Sequence, residues 1–277
     1  MNTDHALNTD KTPGAPSRLT VPKFTASKAS GCKLTMVTAY DYPTARLVDE
    51  AGVDGILVGD SLAMVVQGRE TTLPATLDEM IYHAEMVGRA ARRALVVVDL
   101  PFPTVHLGPR RAVAAAARCL KEACCQAVKL EGSVRQAGII EALTAAGIPV
   151  MAHCGLRPQS IHQLGRYRVQ RDEAALLADA RASQQAGAFA IVLECVPAAL
   201  AERVTAELSI PTIGIGAGPG CDGQILVLHD LLGLGVGRVP QHVRSYAELG
   251  AAIVDAVARY VRDVRAGDFP SQRESFH

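Results

Sequence analysis

The chain has 277 residues, and its 28 Lys and Arg residues balance 28 Asp and Glu residues, so the formal net charge is zero. This balance gives no electrostatic attraction to nucleic acid or to an anionic membrane surface, and neither is expected as a partner. No uninterrupted apolar run reaches the roughly 18 residues of a membrane span, and the N-terminus lacks a signal pattern. We therefore expect a cytoplasmic protein that acts on a small molecule.

The first residues are polar, contain Pro and Gly, and show no hydrophobic period. We expect residues 1–18 to form a disordered tail. Residues 19–277 are expected to form one domain, because α/β barrels reach about 250 residues as a single unit. The seven cysteines include no C-x-x-C motif, and we expect them to be reduced rather than disulfide-bonded or bound to zinc.

From Lys33 onward, short apolar runs alternate with longer segments of helical period, which is typical of βα units around a parallel sheet. Eight runs are predicted to be strands: 34–38, 55–58, 94–98, 127–130, 149–152, 190–193, 212–215 and 225–228. Eight such units predict an α/β fold of the (β/α)8 TIM barrel type.

Several helix ends can be read from single residues. Asp41 is a predicted N-cap before Tyr42-Pro43, and Thr76 with Glu79 forms a predicted capping box. Glycine, which closes a helix in the left-handed conformation without a Cβ penalty, is placed at three predicted helix ends: Gly52, Gly147 and Gly187. Cys124-Cys125 occupies a fourth such junction, so that turn is expected to be tightened differently or mildly strained.

The segment from Ala247 to Ala266 is predicted to be the last helix. Its apolar residues recur at helical spacing: Leu249, Ile253, Val257, Tyr260, Val261 and Val264. This stripe is expected to be buried. The sequence leaves two alternatives equally open: the stripe packs on its own barrel, or it packs against a neighbouring subunit of an oligomer.

Four acidic residues follow the apolar runs of predicted strands: Asp60, Asp99, Glu131 and Glu194. In an α/β barrel the catalytic groups lie at the carboxyl ends of the strands. Converging carboxylates repel one another, so a cation or a retained proton is needed to hold them together. Asp60, Asp99 and Glu131 supply the oxygen ligands that Mg²⁺ prefers. The alternative for Asp60 and Asp99 is that each stabilises a turn.

Glu194 differs from the other three acids because its neighbours are apolar. Desolvation would raise the pKa of Glu194 toward neutrality, which suits a general base that removes a proton from carbon. A structural role, as the partner of an arginine or a backbone N–H, is the alternative. Lys129 precedes Glu131 by two residues, so both side chains face the barrel interior. A rim salt bridge would explain that pair equally well.

Two further polar residues follow predicted strands. Ser61 places a hydroxyl beside Asp60, where it and neighbouring N–H groups could bind an anionic ligand. His153 ends the fifth strand and is a candidate hydrogen-bond donor to a substrate oxygen, although an internally satisfied histidine is as well supported.

Nine segments resemble, in order, those of the 3-methyl-2-oxobutanoate hydroxymethyltransferase (ketopantoate hydroxymethyltransferase) family: 38–41, 58–62, 72–74, 99–102, 128–132, 153–160, 193–197, 213–218 and 222–226. The resemblance implies a barrel of the phosphoenolpyruvate/pyruvate type and a homodecamer. It also implies the first step of pantothenate synthesis, in which 5,10-methylenetetrahydrofolate gives a hydroxymethyl group to 3-methyl-2-oxobutanoate through a Mg²⁺-stabilised enolate, yielding 2-dehydropantoate.

The resemblance also implies residue roles. Asp60, Asp99 and Glu131 match the magnesium site, with Asp60 and Asp99 directly on the metal. The keto-acid contacts match Asp60, Ser61, Asp99 and Lys129, while Glu194 matches the proton acceptor. Where the family commonly reads Gly-Gly-Tyr-Lys-Val-Gln-Gly, the chain has Gly-Arg-Tyr-Arg-Val-Gln-Arg at 165–171, so we expect this loop to close differently over the site.

Two other functions compete with this interpretation. One is a Mg²⁺-dependent carbon–carbon lyase of the same superfamily, whose typical Lys-Lys-Cys-Gly-His catalytic loop is missing here. The other is a non-catalytic barrel that binds a ligand. Loss of Glu194 or of a metal carboxylate would favour that alternative, and all four acids are present.

Overall fold

The computed structural model describes residues 17–235 and 239–276. Eight parallel strands close into a barrel in which each strand pairs with the next and β1 pairs with β8, so the predicted TIM barrel is confirmed. The strands are β1 Leu34–Thr38, β2 Gly55–Val58, β3 Leu95–Asp99, β4 Ala127–Glu131, β5 Val150–Gly155, β6 Ala190–Glu194, β7 Thr212–Ile215 and β8 Gly223–Leu226.

Several strands extend further than predicted at their carboxyl ends. The ladder continues through the polar residues, with Asp99 opposite Lys129 and Glu131 opposite His153. The predicted last strand at 225–228 is shifted by two residues. It begins instead at Gly223, which pairs with Leu34, and a helix already begins at Leu228.

Eleven α-helices occur in the described part of the chain: α1 Val21–Ser30, α2 Tyr42–Glu50, α3 Leu62–Val65, α4 Leu77–Ala90, α5 Pro109–Glu122, α6 Ala137–Ala145, α7 Ile161–Leu164, α8 Glu173–Gln185, α9 Ala198–Glu207, α10 Leu228–Leu231 and α11 Leu249–Ala266. Among these described helices, none combines the length and apolar character needed to cross a membrane.

The predicted helix caps are present. The Asp41 side chain accepts from the Thr44 N–H at the start of α2, and Thr76 with Glu79 forms the capping box of α4. The three predicted helix-end glycines have positive φ. Cys124 adopts φ 53°, a left-handed conformation that costs a non-glycine residue about 1 kcal/mol or more. The strain expected at this junction is therefore confirmed.

Of the disordered tail predicted for residues 1–18, residues 1–16 lie outside the described residues. Its last residue, Arg18, is ordered contrary to the prediction, because its guanidinium donates to the carbonyl oxygens of Gly88, at 3.1 Å, and Ala91. Residue Leu19 donates its N–H to the Arg93 carbonyl oxygen at 2.7 Å. These bonds attach the chain to the α4–β3 connection just before α1 begins.

Two apolar layers hold the barrel together. Outward-facing strand residues pack against the surrounding helices, while inward-facing residues such as Leu95, Val97 and Met151 fill the lower interior. Helix α1 closes the amino-terminal end of the barrel, where fully buried Phe24 packs edge-on against Phe189 with ring centroids 5.8 Å apart. The lower half of the barrel is a packed core, so a ligand site is confined to the carboxyl end.

The last helix does not pack on its own barrel. Within α11 no residue is buried, and the predicted stripe is open, with Ile253 53% and Val257 55% exposed. An amphipathic helix in water normally covers its apolar face. Of the two alternatives for this stripe, the one in which it packs against its own barrel is therefore not realised in the protomer.

Candidate active site

Polar residues continue the inward-facing rows of the strands above the apolar core. On β3 the row runs from Leu95 through Val97 to Asp99, and on β4 it includes Lys129 and Glu131. Because side chains alternate along a strand, Val128 and Leu130 face the helices instead. The predicted orientation of Lys129 and Glu131 toward the barrel interior is thus confirmed, and charged groups meet at the mouth.

A buried ion pair forms the centre of this group. The Lys129 Nζ atom lies 2.7 Å from Asp99 Oδ1, with the two side chains 8% and 4% exposed. Burial acts to lower the pKa of Lys129, but the Asp99 and Asp60 carboxylates outweigh it, and the pKa is raised. Asp99 Oδ2 also accepts the Asp60 backbone N–H at 3.1 Å. Asp99 therefore connects the ends of β2, β3 and β4.

Asp60 and Glu131 are buried carboxyl groups beside this pair. Desolvation, followed by the nearby Asp99 charge, raises the pKa of Asp60. Desolvation likewise raises the pKa of Glu131 to about 8. Burial is the largest cause of both shifts, and a neighbouring carboxylate adds to each of them, Asp99 at Asp60 and Asp60 at Glu131. A bound cation would offset this gathering of carboxylates.

Glu194 ends β6 on the opposite wall, next to His153. Glu194 Oε2 lies 3.1 Å from His153 Nε2, yet the two atoms are not aligned as a hydrogen bond and Nε2 has no hydrogen-bond partner among the described residues. On its other side, His153 Nδ1 is 3.4 Å from Lys129 Nζ. The imidazole therefore lies between the lysine and Glu194. The alternative of an internally satisfied histidine is met only at Nδ1, because Nε2 has no hydrogen-bond partner among the described residues.

The backbone around Glu194 is tightly fitted. Gly155, with φ +98°, lies so close that a Cβ there would be 2.3 Å from the Glu194 carbonyl oxygen. The following residue, Cys195, has φ 50° and accepts the Gln170 N–H from the 165–171 loop at 3.0 Å. Strained backbone of this kind persists where the surrounding structure holds a side chain in one orientation. At this position the surrounding structure holds the side chain of Glu194.

Ser61 is positioned by a residue that has no predicted role. The Tyr40 hydroxyl lies 2.8 Å from Ser61 Oγ, and burial raises the pKa of Tyr40 well above its usual value. The neutral phenol therefore orients the serine hydroxyl at every physiological pH. Behind it, the His83 ring Nδ1 contacts the Tyr40 carbonyl oxygen at 2.6 Å.

All seven predicted site residues face one cavity of about 490 Å³ at the carboxyl end of the barrel: Asp60, Ser61, Asp99, Lys129, Glu131, His153 and Glu194. Its outer wall includes Met64 of helix α3 and the loop residues Tyr167 and His242. The Tyr167 hydroxyl is 4.0 Å from Met64 Sδ, which brings the 165–171 loop to the cavity rim. Polar groups converge at the bottom, and apolar surface surrounds them.

The sequence profile of the ketopantoate hydroxymethyltransferase family matches residues 18–272. The 3-methyl-2-oxobutanoate hydroxymethyltransferase of Rhodopirellula baltica is 55% identical over 260 residues, covering 94% of this chain and 97% of that protein. The chain belongs to the ketopantoate hydroxymethyltransferase family. It is accordingly an enzyme of the transferase class. The protein of the same name from Pyrobaculum calidifontis is also 55% identical, covering 92% of this chain and 96% of its own length.

Solved structures confirm the barrel type. A phosphonopyruvate hydrolase in complex with oxalate and Mg²⁺ superimposes with a TM-score of 0.61 at 15% identity, covering 92% of this chain and 93% of that one. At that identity the similarity shows the fold alone.

The carboxylates suit a magnesium ion that keeps part of its water shell. Within residues 17–235 and 239–276, no three His, Cys, Asp or Glu side chains form a preformed metal cluster. Mg²⁺ typically takes only one or two protein carboxylates and retains several waters. Asp60 and Asp99, with the raised pKa of Asp60, provide such a pair in this member of the ketopantoate hydroxymethyltransferase family, and Glu131 lies nearby.

Gln159 is a residue of the site that the sequence alone does not reveal. Its backbone N–H donates to Glu131 Oε1 at 2.8 Å, and its side-chain Nε2 donates to Asp60 Oδ2 at 2.9 Å. Gln159 lies inside the 153–160 segment that resembles the ketopantoate hydroxymethyltransferase family, but a glutamine in a turn has no spacing or charge that marks a site. Only the folded barrel shows that it crosses from the end of β5 to two carboxylates.

Proposed function

We propose that this protein transfers a hydroxymethyl group from 5,10-methylenetetrahydrofolate to 3-methyl-2-oxobutanoate, giving 2-dehydropantoate and tetrahydrofolate, the first step of pantothenate synthesis. The observation that carries the proposal is the division of one cavity into two halves. A buried carboxylate–lysine cluster occupies one wall, and Glu194 occupies the other. This division separates binding of an anionic oxygen ligand from removal of a proton, which is what enolate chemistry on a keto acid requires.

Asp60 and Asp99 would hold Mg²⁺, with Glu131 close by. When bound there, Mg²⁺ withdraws electron density from the keto acid and so acidifies its C3 proton. A cation at this position is supported by these two buried carboxyl groups, whose pKa values are raised first by desolvation and then by neighbouring carboxylates. Restoring the charge balance would keep both carboxylates ionised at neutral pH.

The chain's own cations and hydroxyls orient the keto acid. Ser61, fixed by Tyr40, offers a hydroxyl to a substrate oxygen. Lys129 keeps its proton between Asp99 and Asp60 and presents a permanent positive charge to the oxygen that becomes negative in the enolate. A preorganised charge of this kind acts strongly in a site that excludes water.

Glu194 takes the C3 proton onto a carboxylate oxygen, and the C3–H electron pair passes into the enolate. The enolate carbon then forms the new C–C bond to the one-carbon unit, which is at the oxidation level of formaldehyde. Both C–N bonds that join this carbon to the folate break, and water supplies the hydroxyl oxygen. The two folate nitrogens take up the proton released from C3 and the proton released from water, giving tetrahydrofolate. His153 Nε2, 3.1 Å from Glu194 Oε2, lies where it can donate a hydrogen bond to a ligand oxygen or steady the carboxylate.

The size of the cavity agrees with two substrates. A five-carbon keto acid fills only part of about 490 Å³. The remaining space lies toward the loop residues Tyr167 and His242 and is suited to the flat ring of a folate. The folate supplies the one-carbon chemistry, and the barrel binds and orients the two substrates.

Deuterium exchange at C3 of 3-methyl-2-oxobutanoate tests the proposed function. We expect wild-type protein to exchange this proton with D₂O only when Mg²⁺ is present, and to form 2-dehydropantoate once methylenetetrahydrofolate is added. Proton NMR reports the first step and mass spectrometry the second. Absence of Mg²⁺-dependent exchange would rule out the enolate mechanism, while exchange without product would favour a lyase.

We also propose that α11 is covered by another copy of the chain in a homo-oligomer, with a decamer as the expected assembly. The exposed stripe that includes Ile253 and Val257 supports this arrangement. Analytical ultracentrifugation of wild type is expected to give a decamer. The variant Val257→Asp is expected to dissociate it, whereas Asp255→Asn, on the same helix, leaves it intact. A wild-type monomer contradicts the proposal.

A further inference from the structure

We propose that Gln159 is the positioning residue that holds Asp60 and Glu131 in the orientation needed for the metal. The inference rests on the proposed function, because it assigns a role at the same magnesium site. Gln159 lies in a short turn, Pro158–Ser160, directly after β5. From there it reaches three other strand ends.

The contacts of Gln159 divide between its backbone and its side chain. The backbone N–H donates to Glu131 Oε1 at 2.8 Å, at the end of β4. The side-chain Nε2 donates to Asp60 Oδ2 at 2.9 Å and to the Leu100 carbonyl oxygen at 3.1 Å, after β2 and β3 respectively. One residue thus connects the carboxyl ends of four strands across the mouth of the barrel.

These bonds fix which way the amide faces. Both partners of Nε2 are acceptors, a carboxylate oxygen and a carbonyl oxygen, so the NH₂ group must face them and Oε1 must face away. The residue is only 7% exposed. The Gln159 side chain therefore has little freedom to rotate. The carboxylates of Asp60 and Glu131 each accept one hydrogen bond from Gln159, which restricts their rotation.

The amide oxygen gives the second, independent observation. Gln159 Oε1 is buried without a hydrogen-bond partner among the described residues, and Gln159 lines the cavity. Leaving a buried acceptor without a partner is unfavourable, so the site is complementary to a donor that arrives with a ligand. Water retained on a bound Mg²⁺ is such a donor.

Partners that orient metal ligands typically contribute 10–100-fold to metal affinity. Mn²⁺, which binds the same kind of oxygen ligands as Mg²⁺, can be titrated calorimetrically in the absence of substrate. We expect Gln159→Met, which keeps the size of the side chain but removes its donors, to raise the Kd for Mn²⁺ by about 10–100-fold. Gln159→Asn, which keeps an amide but shortens the reach to Asp60, is expected to weaken binding in the same direction.

Gln126→Met is the matched control. Gln126 also uses both ends of its amide, accepting from the Val96 N–H at 3.0 Å and donating to the Cys124 carbonyl oxygen at 2.8 Å. It does so at the amino-terminal end of the barrel, away from the cavity. Its loss is expected to lower the melting temperature without changing the Kd for Mn²⁺.

Each outcome of the Mn²⁺ titration either supports or contradicts the positioning role of Gln159. Weakened binding in both Gln159 variants, with Gln126→Met unchanged, supports the proposal. Wild-type affinity in the Gln159 variants overturns it, and so does an equal loss in Gln126→Met, because the effect is then a general structural one. If wild type itself binds no Mn²⁺, the proposed metal site fails and the positioning role fails with it.

Discussion

Glu194→Gln is expected to slow C3 deuterium exchange of 3-methyl-2-oxobutanoate by about 10²- to 10⁴-fold, the usual contribution of a general base. The amide has nearly the same shape as the carboxylate but cannot accept the proton. The change also removes the negative charge 3.1 Å from His153 Nε2. Binding of Mn²⁺ at the opposite wall is expected to remain close to wild type, because Glu194 is not among the proposed metal carboxylates.

The control for this prediction is Glu50→Gln, which makes the same chemical change at an exposed position at the end of α2. It is expected to exchange at the wild-type rate. Rates of C3 deuterium exchange, measured by NMR at several pH values, distinguish the loss of the base from a change in the pH at which the base acts. An unchanged rate in Glu194→Gln would assign the base to another residue, and His153 would then be the first to test.

The sequence predicts the barrel and the inward direction of its polar residues because both depend on local periodicity. Lys129 and Glu131 differ by two positions on a strand, so their common face follows from pleating alone. The pairing of Lys129 with Asp99, by contrast, depends on the register between β3 and β4, where these residues lie opposite each other. Register between strands that are separated by a helix is not encoded in either strand alone.

Residues in turns were the least predictable part of the site. Gln159 and Tyr40 act by reaching across the barrel mouth or behind Ser61, and neither has a charge or a spacing that points to a site. The shifted last strand has a similar cause. The apolar run after Gly223 continues into α10, so hydrophobicity alone could not divide the strand from the helix.

Asp99→Asn is expected to have the largest effect on stability, because it breaks a buried ion pair from one side. Lys129 and Asp99 are 8% and 4% exposed and 2.7 Å apart. Removing one partner of a buried pair leaves the other charge uncompensated and typically costs about 3–5 kcal/mol. Urea unfolding at a fixed protein concentration measures the change, since the stability of the proposed oligomer would depend on concentration. Mn²⁺ binding is expected to be lost as well.

The double variant Asp99→Asn with Lys129→Met separates these two effects. Methionine removes the isolated ammonium and fills similar space, so most of the lost stability is expected to return. Metal binding is not expected to return, because the carboxylate is still missing. Recovery of stability without metal binding would show that the pair is kept for chemistry rather than for folding. Failure of the double variant to regain stability would instead mean that the Asp99 bond to the Asp60 N–H, at 3.1 Å, holds the mouth of the barrel together.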